Sequence, residues 1–566
     1  MLLIDWIVLI GTLVFIVAYG AYKTRGSKDV QDYIRGGNEA KWWTVGLSVM
    51  ATQASAITFL STPGQAFHSG MGFVQFYFGL PIAMIIICLV FIPIYYRLNV
   101  YTAYEYLESR FDRKTRILTA LLFLTQRGLS AGITIFAPAI ILSAVLGWDL
   151  TTLNIIIGVL VIIYTVSGGT KAVNVTQKQQ MAVIFFGMIT AFILIIQYLP
   201  EEITFTKALE IAGSSGKLDI LDFSLDFDNR YTFWSGIIGG TFLALSYFGT
   251  DQSQVQRYLS GKSVQQSQLG LIFNGLLKVP MQFFILLVGV MVFVFYQFNY
   301  SPLNFNPAAT KAVSQSEFNP EYQKLEEDLE KIQSEKQQKT LLYARTADFS
   351  SGKQDEFRDA MLDLNAAELQ KREEAVAIIS KADETVETND KDYVFIHFIL
   401  NNLPRGLIGL LLAVILSAAM SSTASELNAL ASTTVIDLYK RNVGPRTDEH
   451  FVRVSKWFTF GWGIIAIAVA SIADLFDNLI QLVNIIGSIF YGNVLGIFLL
   501  AFFVKFVKGH SVFIAALITQ AIIIGIYFLE IMPYLWLNVT GCSLVMAIAI
   551  LFQFSGNNFK TLGNAK

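Results

Sequence analysis

Hydroxyl and amide side chains are unusually dense in one otherwise apolar stretch of the chain, between Gly46 and Gly64. The polar residues there are Thr52, Gln53, Ser55, Thr58, Ser61 and Thr62. A helix that faces lipid does not carry so many, because polar groups at membrane depth need protein or water around them. Pro63 and Gly64 weaken the helix further. The pattern predicts a discontinuous helix that lines a binding site.

A second stretch, Ser417–Asn428, places the hydroxyls of Ser421 and Ser422 side by side among small residues. A hard cation such as sodium takes oxygen ligands, and these two hydroxyls plus carbonyls freed at a helix break supply about five. The same residues also fit a close helix–helix seam in which each hydroxyl bonds the preceding helical turn. The residues alone leave both interpretations open.

A third stretch, Ser246–Arg257, turns from apolar to polar after Gly249. It predicts a second interrupted helix, five helices after the first. Two weakened helices at corresponding places in two halves of a chain are typical of an inverted repeat with its site between the halves.

The composition of the chain indicates the environment in which these segments lie. Of the 566 residues, 54% are hydrophobic and 15% are charged, with a mean hydropathy of +0.52. Soluble domains carry about 25% charged residues, so this is a membrane protein composition. The net charge of −2 says little about partners, but no basic stripe argues for nucleic acid, and we expect none as a partner. We find no nucleophile–base set, metal-ligand cluster or phosphate-binding glycine loop, and predict that the protein is not an enzyme.

A membrane-spanning helix needs about 20 mostly apolar residues, and thirteen stretches qualify. We therefore predict an all-α integral membrane protein. Numbered 0 to 12, the predicted helices fall near residues 3–22, 42–62, 72–96, 115–146, 150–167, 176–199, 231–250, 267–298, 393–436, 452–473, 478–505, 510–529 and 532–554.

Lys and Arg concentrate in every second short loop, beginning with the loop between helices 0 and 1, and are nearly absent from the others. The loop between helices 5 and 6 is acidic. Cytoplasmic loops carry the excess of basic residues. The alternation predicts a multi-pass protein of the plasma membrane, or of the cytoplasmic membrane if bacterial. Its N-terminus lies outside and its C-terminus in the cytoplasm.

Much of the charge is concentrated in residues 299–392, which predicts a soluble extracytoplasmic helical insertion between transmembrane parts 1–298 and 393–566. Glu321–Lys339 and Asp355–Ala382 have apolar residues at helical spacing, which favours two helices packed as a hairpin. The insertion is either an outer cap that contacts another protein or a solvated elaboration without transport chemistry.

Four motifs together resemble one family of transporters. They are Tyr104–Phe111 (YEYLESRF), Tyr164–Gly169 (YTVSGG), Thr250–Arg257 (TDQSQVQR) and Met420–Ser422 (MSS). Through helices 0 to 10 the chain resembles the sodium/solute symporter family, which includes the glucose, iodide, proline and sialic acid symporters. The resemblance implies the five-plus-five inverted repeat of the leucine transporter, with helices 1–5 and 6–10 as repeats and with helices 1 and 6 broken.

The resemblance also implies a bound sodium ion. Its ligands are the carbonyl oxygens of Ala51, Ala54 and Ala418 and the hydroxyls of Ser421 and Ser422. Relatives with a second sodium site carry an aspartate in helix 5, where this sequence has Gln177. A neutral amide is a poorer cation ligand in a low dielectric, so we expect one sodium ion per transport cycle.

The sugar-carrying branch of the family suggests a substrate site. By resemblance Lys278 and Gln481 hydrogen-bond sugar hydroxyls, and Tyr247, followed by Phe248, closes the inner side of the pocket. Alternatively, Lys278 pairs with a carboxylate and Gln481 joins helices. These residues favour a sugar or polyol as the solute.

Other residues depart from that branch. No acid occurs in helix 2, where Gln75 is the available polar residue, and Thr58 stands in helix 1 in place of a His or Gln. With Thr52, these residues complete the predicted substrate site. Helices 1 to 3 are closer to the iodide and monocarboxylate branch, so an anionic solute, sialic acid or another carboxylate, is the alternative. Arg127 then pairs with the carboxylate; otherwise it is an interfacial residue.

The function that follows is sodium-coupled import of a small polar solute across a lipid bilayer by alternating access. Glu426, one turn beyond Ser422, either forms an ion pair or lies on a sodium exit path. A uniporter, or a sensor that binds the solute without accumulating it, is the competing class.

Overall fold

A computed structural model describes residues 2–23, 36–226, 229–346, 351–384, 386–472 and 479–563. Within these ranges the regular structure is helical, and the one β-type pairing is an isolated bridge between Ala40 and Gly261. Nine helices there are long and apolar enough to cross a membrane, and shorter apolar helices accompany them. The basic loop between helices 0 and 1, and most side chains of the Tyr164–Gly169 motif, lie outside the described part.

The membrane helices follow the predicted order, and we keep their numbers. Their bounds are Leu3–Lys23 for helix 0, Trp42–Gln53 and Ala56–Ser69 for helix 1, Leu80–Ile86, Ile87–Phe91 and Ile92–Leu98 for helix 2, Arg113–Leu146 for helix 3, Leu150–Gln197 for helices 4 and 5, Ser235–Gly239 and Gly240–Thr250 for helix 6, Val264–Phe298 for helix 7, Leu407–Thr433 for helix 8, Asp448–Ile472 for helix 9, Leu479–Phe503 for helix 10, Gly509–Phe528 for helix 11 and Tyr534–Gly563 for helix 12.

The insertion contains the expected hairpin. A short helix, Pro307–Ser314, precedes two long helices, Asn319–Thr346 and Ser351–Ala382, which pack along each other. Leu329 and Ile379 belong to a small apolar core of their own. We call the two long helices the hairpin, and the face of the membrane bundle that it covers the hairpin side.

Helices 4 and 5 both lie within one helical range, Leu150–Gln197, with no separate loop between them. Their contacts nevertheless run in opposite directions. The side chain of Asn154 forms a hydrogen bond with the hairpin-side end of helix 9, and that of Gln177 forms one with the second half of helix 8. Gly187 contacts the first turns of helix 8, near the hairpin. The chain therefore reverses between its two halves, and each half crosses the bundle separately.

The prediction of a single helix 8 over 393–436 was wrong. The structure has a separate helix, Val394–Asn402, and helix 8 begins only at Leu407. Pro404 cannot donate a backbone hydrogen bond, and Gly406 has a φ of +86°, which favours glycine. These two residues turn the chain before it enters the bundle.

Helices 1 and 6 are both interrupted, as the sequence predicts. Helix 1 stops at Gln53 and restarts at Ala56, because Ala54 and Ser55 leave the helical region with ψ values of 72° and 177°. The break thus precedes Pro63, which is accommodated inside the second half. Helix 6 stops at Thr250, and the extended Asp251 separates it from a short helix, Gln252–Leu259.

Helix 0 contacts the start of helix 8 so closely that a glycine is required. A Cβ on Gly409 would lie 2.0 Å from the backbone oxygen of Asp5. The carboxylate of Asp5 fixes this contact by accepting hydrogen bonds from Gly406 N at 2.5 Å and Leu2 N at 2.9 Å.

We expect Gly409→Ala to lower the apparent melting temperature of the detergent-solubilised protein by several degrees, because overpacking costs about 1–3 kcal/mol. Gly461→Ala in helix 9 is the matched control, since a Cβ there meets nothing within 4 Å. Equal melting temperatures for the two variants would contradict the close approach of helices 0 and 8.

Candidate ion and solute site

The break in helix 1 lies against helix 8. Because the helix ends at Gln53, the last carbonyl groups of its first half have no partner in a following turn. Ala54 N donates to Met50 O at 2.7 Å, and Ser422 Oγ lies 3.5 Å from Ala51 O. The structure thus joins a carbonyl of the break to one of the paired serines.

The remaining predicted sodium ligands lie near this contact along the two helices. Ala54 forms the break, and Ala418 lies one helical turn before Ser422 on the buried part of helix 8. The hydroxyl oxygen of Ser421 is buried, with no hydrogen-bond partner among the described residues. An unpartnered hydroxyl beside free carbonyl oxygens suits a hard cation that takes oxygen ligands. The donor set fits sodium.

Gln177 connects three helices next to this set. Its Nε2 donates to Thr52 Oγ1 at 3.1 Å and to Ser425 Oγ at 3.3 Å, and its Oε1 accepts from Ser48 Oγ at 2.5 Å. The amide is therefore saturated with neutral partners. It carries no charge that would attract a second cation.

A cavity of about 80 Å³ lies beside the break, between helices 1, 2, 3, 6, 8 and 10. Five residues that sequence analysis assigned to the ion or solute site line it: Thr52, Thr58, Arg127, Tyr247 and Ser422. Its further polar lining residues are Gln53, Ser55, Tyr77, Thr134, Glu426, Asn484 and Tyr491.

The second half of helix 1 begins at this cavity. Ser55 is its N-cap residue but makes no side-chain capping bond, and Ser55, Ile57 and Thr58 line the cavity. The first N–H groups of a helix have no partner within it and carry the positive end of its dipole. The cavity thus offers an uncapped helix N-terminus to an anionic group.

Two residues predicted for the substrate site lie elsewhere. Gln75 and Gln481 line a separate vestibule of about 490 Å³ nearer the hairpin side. Gln75 donates to Tyr231 O at 2.8 Å, and Gln481 accepts from Arg230 Nη1 at 2.7 Å. Both amides join a loop to a helix, and Gln481 also donates to Gln65 Oε1 of helix 1 at 3.3 Å, a link between helices like the one the alternative for Gln481 describes. Phe248 is buried beside Tyr247 and does not line the cavity.

Lys278 is fully buried, and its ammonium group has no hydrogen-bond or ion-pair partner among the described residues. Its Nζ lies 5.8 Å from the ring centre of Tyr77, which lines the cavity. Gln282, one turn further along helix 7, has an equally unpartnered amide. Helix 7 thus places a lysine without a counter-ion behind the cavity wall.

Arg127 is not an interfacial residue, because only 2% of its surface is exposed. Its guanidinium donates to Glu426 Oε1 at 3.0 Å, to Tyr491 OH at 2.6 Å and to Asp251 Oδ2. The ion-pair interpretation of Glu426 is therefore the one observed. The guanidinium lies between two carboxylates, so Arg127 is already paired with anionic groups of the protein.

Asp251 was missed as a member of this cluster. The sequence offered a signal, a carboxylate at the predicted interruption of helix 6. Its Oδ1 caps the following helix by accepting from Ser253 N at 2.9 Å, and Oδ2 accepts from Tyr491 OH at 3.1 Å. The second helix break is thus stabilised by an ion pair to helix 3.

We expect Arg127→Gln to reduce the yield of folded protein far more than Glu426→Gln. Removing the arginine leaves two buried carboxylates unpaired, and breaking a buried pair costs about 3–5 kcal/mol. Glu426→Gln keeps the pair with Asp251. Size-exclusion yield and melting temperature measure both variants, and equal losses would contradict this charge balance.

The chain matches the family model described as Sodium:solute symporter family over residues 33–324 and 373–519. The gap between the two matched ranges falls within the hairpin. Human (Homo sapiens) sodium-coupled monocarboxylate transporter 1 is 29% identical over 508 residues, covering 89% of this chain and 70% of that one. The human sodium/iodide cotransporter is 27% identical over 483 residues, covering 84% and 62%.

The fold agrees with these matches. A solved structure of a Na⁺-coupled sialic acid symporter, in a substrate-bound outward-open state, superposes with a TM-score of 0.74. The two sequences are 23% identical, and the superposition covers 98% of each chain. This chain belongs to the sodium:solute symporter family, whose members are sodium-coupled membrane transporters of small solutes and not enzymes.

Proposed function

We propose that this protein couples sodium entry to the import of a small monocarboxylate anion. The observation that carries the proposal is the uncapped N-terminus of the second half of helix 1, which opens into the central cavity beside Ser55 and Thr58. Half-helix N-termini at membrane depth bind anionic groups of solutes. The unpartnered amino group of Lys278 lies behind Tyr77 and would add positive potential there when protonated.

The size of the cavity supports a small solute. At about 80 Å³ it is well below the range of pockets that enclose drug-sized ligands. The sugar or polyol expected from sequence depended on Gln481, whose amide is engaged by Arg230 outside this cavity. A sugar therefore remains the second candidate, favoured by Lys278 and Tyr247.

The relatives support an anion as well. The names of two relatives and of the superposed structure specify a monocarboxylate, iodide and sialic acid. Each is an anion at neutral pH. Arg127 does not serve as the receptor in this proposal, because Asp251 and Glu426 neutralise it.

The proposed sodium site consists of the carbonyl oxygens of Ala51, Ala54 and Ala418 and the hydroxyls of Ser421 and Ser422. Sodium bound there would hold the break of helix 1 against helix 8, and so would fix the helix N-terminus that receives the solute. When the opposite side of the bundle opens, loss of sodium would free the break and release the solute. One sodium ion per cycle is expected, because Gln177 replaces a charged ligand.

We further propose the orientation that the basic loops predict, with the N-terminus and residues 299–392 outside and the C-terminus in the cytoplasm of the cell. In this orientation the hairpin side faces the medium from which the solute enters. Residues 1–298 and 393–566 form the transmembrane parts.

Replacing both serines, Ser421→Ala/Ser422→Ala, is expected to weaken the sodium dependence of uptake into proteoliposomes at least tenfold, because the proposed site loses its two side-chain oxygens. Ser432→Ala is the matched control, since this buried hydroxyl donates to Asn428 O of its own helix at 2.7 Å. Uptake that is indifferent to sodium and to both serines would indicate a uniporter. Sodium-stimulated binding without accumulation would indicate a sensor.

The membrane potential distinguishes the two solute classes. One sodium ion with one monocarboxylate moves no net charge, so accumulation of labelled lactate or pyruvate should not change when an inside-negative potential is imposed. One sodium ion with a neutral sugar moves one charge, which is worth about 2.3 kcal/mol per 100 mV, or about fiftyfold accumulation. Potential-driven glucose or inositol uptake, without carboxylate uptake, would overturn the anion proposal.

A further inference from the structure

A second cavity, of about 250 Å³, lies where the hairpin meets the membrane bundle. The hairpin contributes Lys336, Glu368 and Arg372, and the bundle contributes Phe67, Lys217 and Phe293. We call it the joint cavity. It shares no lining residue with the central cavity beside helix 1.

Positive charge exceeds negative charge in the joint cavity. Glu368 is its one lining carboxylate among the described residues, and it is paired with both Lys336 and Arg372. Burial raises the pKa of Glu368, but these two cations outweigh burial and hold the pKa at about 2. Lys217 has no carboxylate partner within the described ranges, and burial lowers its pKa to about 8.

Lys217 is held in place without being neutralised. Its Nζ donates to the backbone oxygen of His68 at 2.6 Å and lies 4.7 Å from the ring centre of Phe293. Asp390 approaches His68 Nε2 at 3.5 Å but does not line the cavity. Lys217, Lys336 and Arg372 carry three positive charges. Even when both Glu368 and Asp390 are counted against them, one positive charge remains unbalanced.

The joint cavity also contains unmet hydrogen-bonding groups. The Nδ2 of Asn365 and the hydroxyl of Ser215 are buried, and neither has a hydrogen-bond partner in the part of the chain that the structure describes. Buried polar groups in native proteins are normally bonded. Phe67, Phe293 and Leu362 supply apolar lining. Hydrogen-bond donors, surplus positive charge and apolar side chains in one cavity suit a carboxylate with a small apolar body.

We propose that the joint cavity binds a small organic carboxylate at a site separate from the transport cavity. The carboxylate lies between Lys217 of the bundle and Lys336 of the hairpin, and accepts from Asn365 and Ser215. Occupation neutralises the surplus charge and ties the hairpin to the hairpin-side ends of helices 1 and 7. The site does not depend on which solute is transported.

Calorimetric titration of the purified full-length protein in sodium-free lipid nanodiscs tests this site. Benzoate is the probe, and uncharged benzamide is its match in size. Benzoate is expected to bind and benzamide to bind at least tenfold more weakly. Lys217→Gln should weaken benzoate binding at least tenfold by removing the unpaired cation, whereas Lys324→Gln on the exposed face of the hairpin should leave it unchanged.

A steric variant keeps the test independent of charge. Ala366→Trp fills the joint cavity from the hairpin and removes no cation, so it should also weaken benzoate binding at least tenfold. Melting temperatures within a few degrees of the parent protein establish that the variants are folded. The proposal would be overturned if benzoate affinity survived both Lys217→Gln and Ala366→Trp. It would also be overturned if Lys324→Gln lost that affinity equally, or if benzamide bound as tightly as benzoate.

Discussion

The break in helix 1 is the feature on which the rest of the molecule depends. Inside a membrane every backbone N–H and C=O must find a partner, since water is absent. The chain leaves the helical region at Ala54 and Ser55, and so exposes carbonyl groups on one side and N–H groups on the other. The carbonyl end meets Ser422 of helix 8, and the N–H end opens into the central cavity. A cation and an anion are the two ligands that would satisfy these opposite ends.

Charge balance around the break explains why most nearby groups are not ligands themselves. Arg127 is surrounded by Asp251, Glu426 and Tyr491, and Gln177 is saturated by three hydroxyl groups. These fixed networks brace helices 3, 5, 6 and 8 around the site. The hydroxyl of Ser421 and the amino group of Lys278 are among the groups that remain unsatisfied.

Local sequence patterns predicted the features that depend on neighbouring residues. Dense hydroxyls within an apolar run indicated the break in helix 1, and helical spacing of apolar residues within a charged run indicated the hairpin. Partners far apart in sequence were harder to predict. Arg127 pairs with Glu426 across 299 residues, so burial and pairing could not be read from the short stretch around either residue. The separate Val394–Asn402 helix was hidden because its apolar residues continue into helix 8. Gln481 lies in the vestibule and not in the cavity beside helix 1, a separation that the family resemblance did not indicate.

Hydrogen exchange tests most directly whether the break in helix 1 is the cation site. The purified protein is compared in sodium and in potassium at equal ionic strength, with exchange followed by mass spectrometry. The account predicts slower exchange in sodium for peptides covering residues 48–58 and 417–425, with little change in the hairpin. Unchanged exchange in both peptides, with protection appearing elsewhere in the bundle, would contradict the placement of sodium at this break.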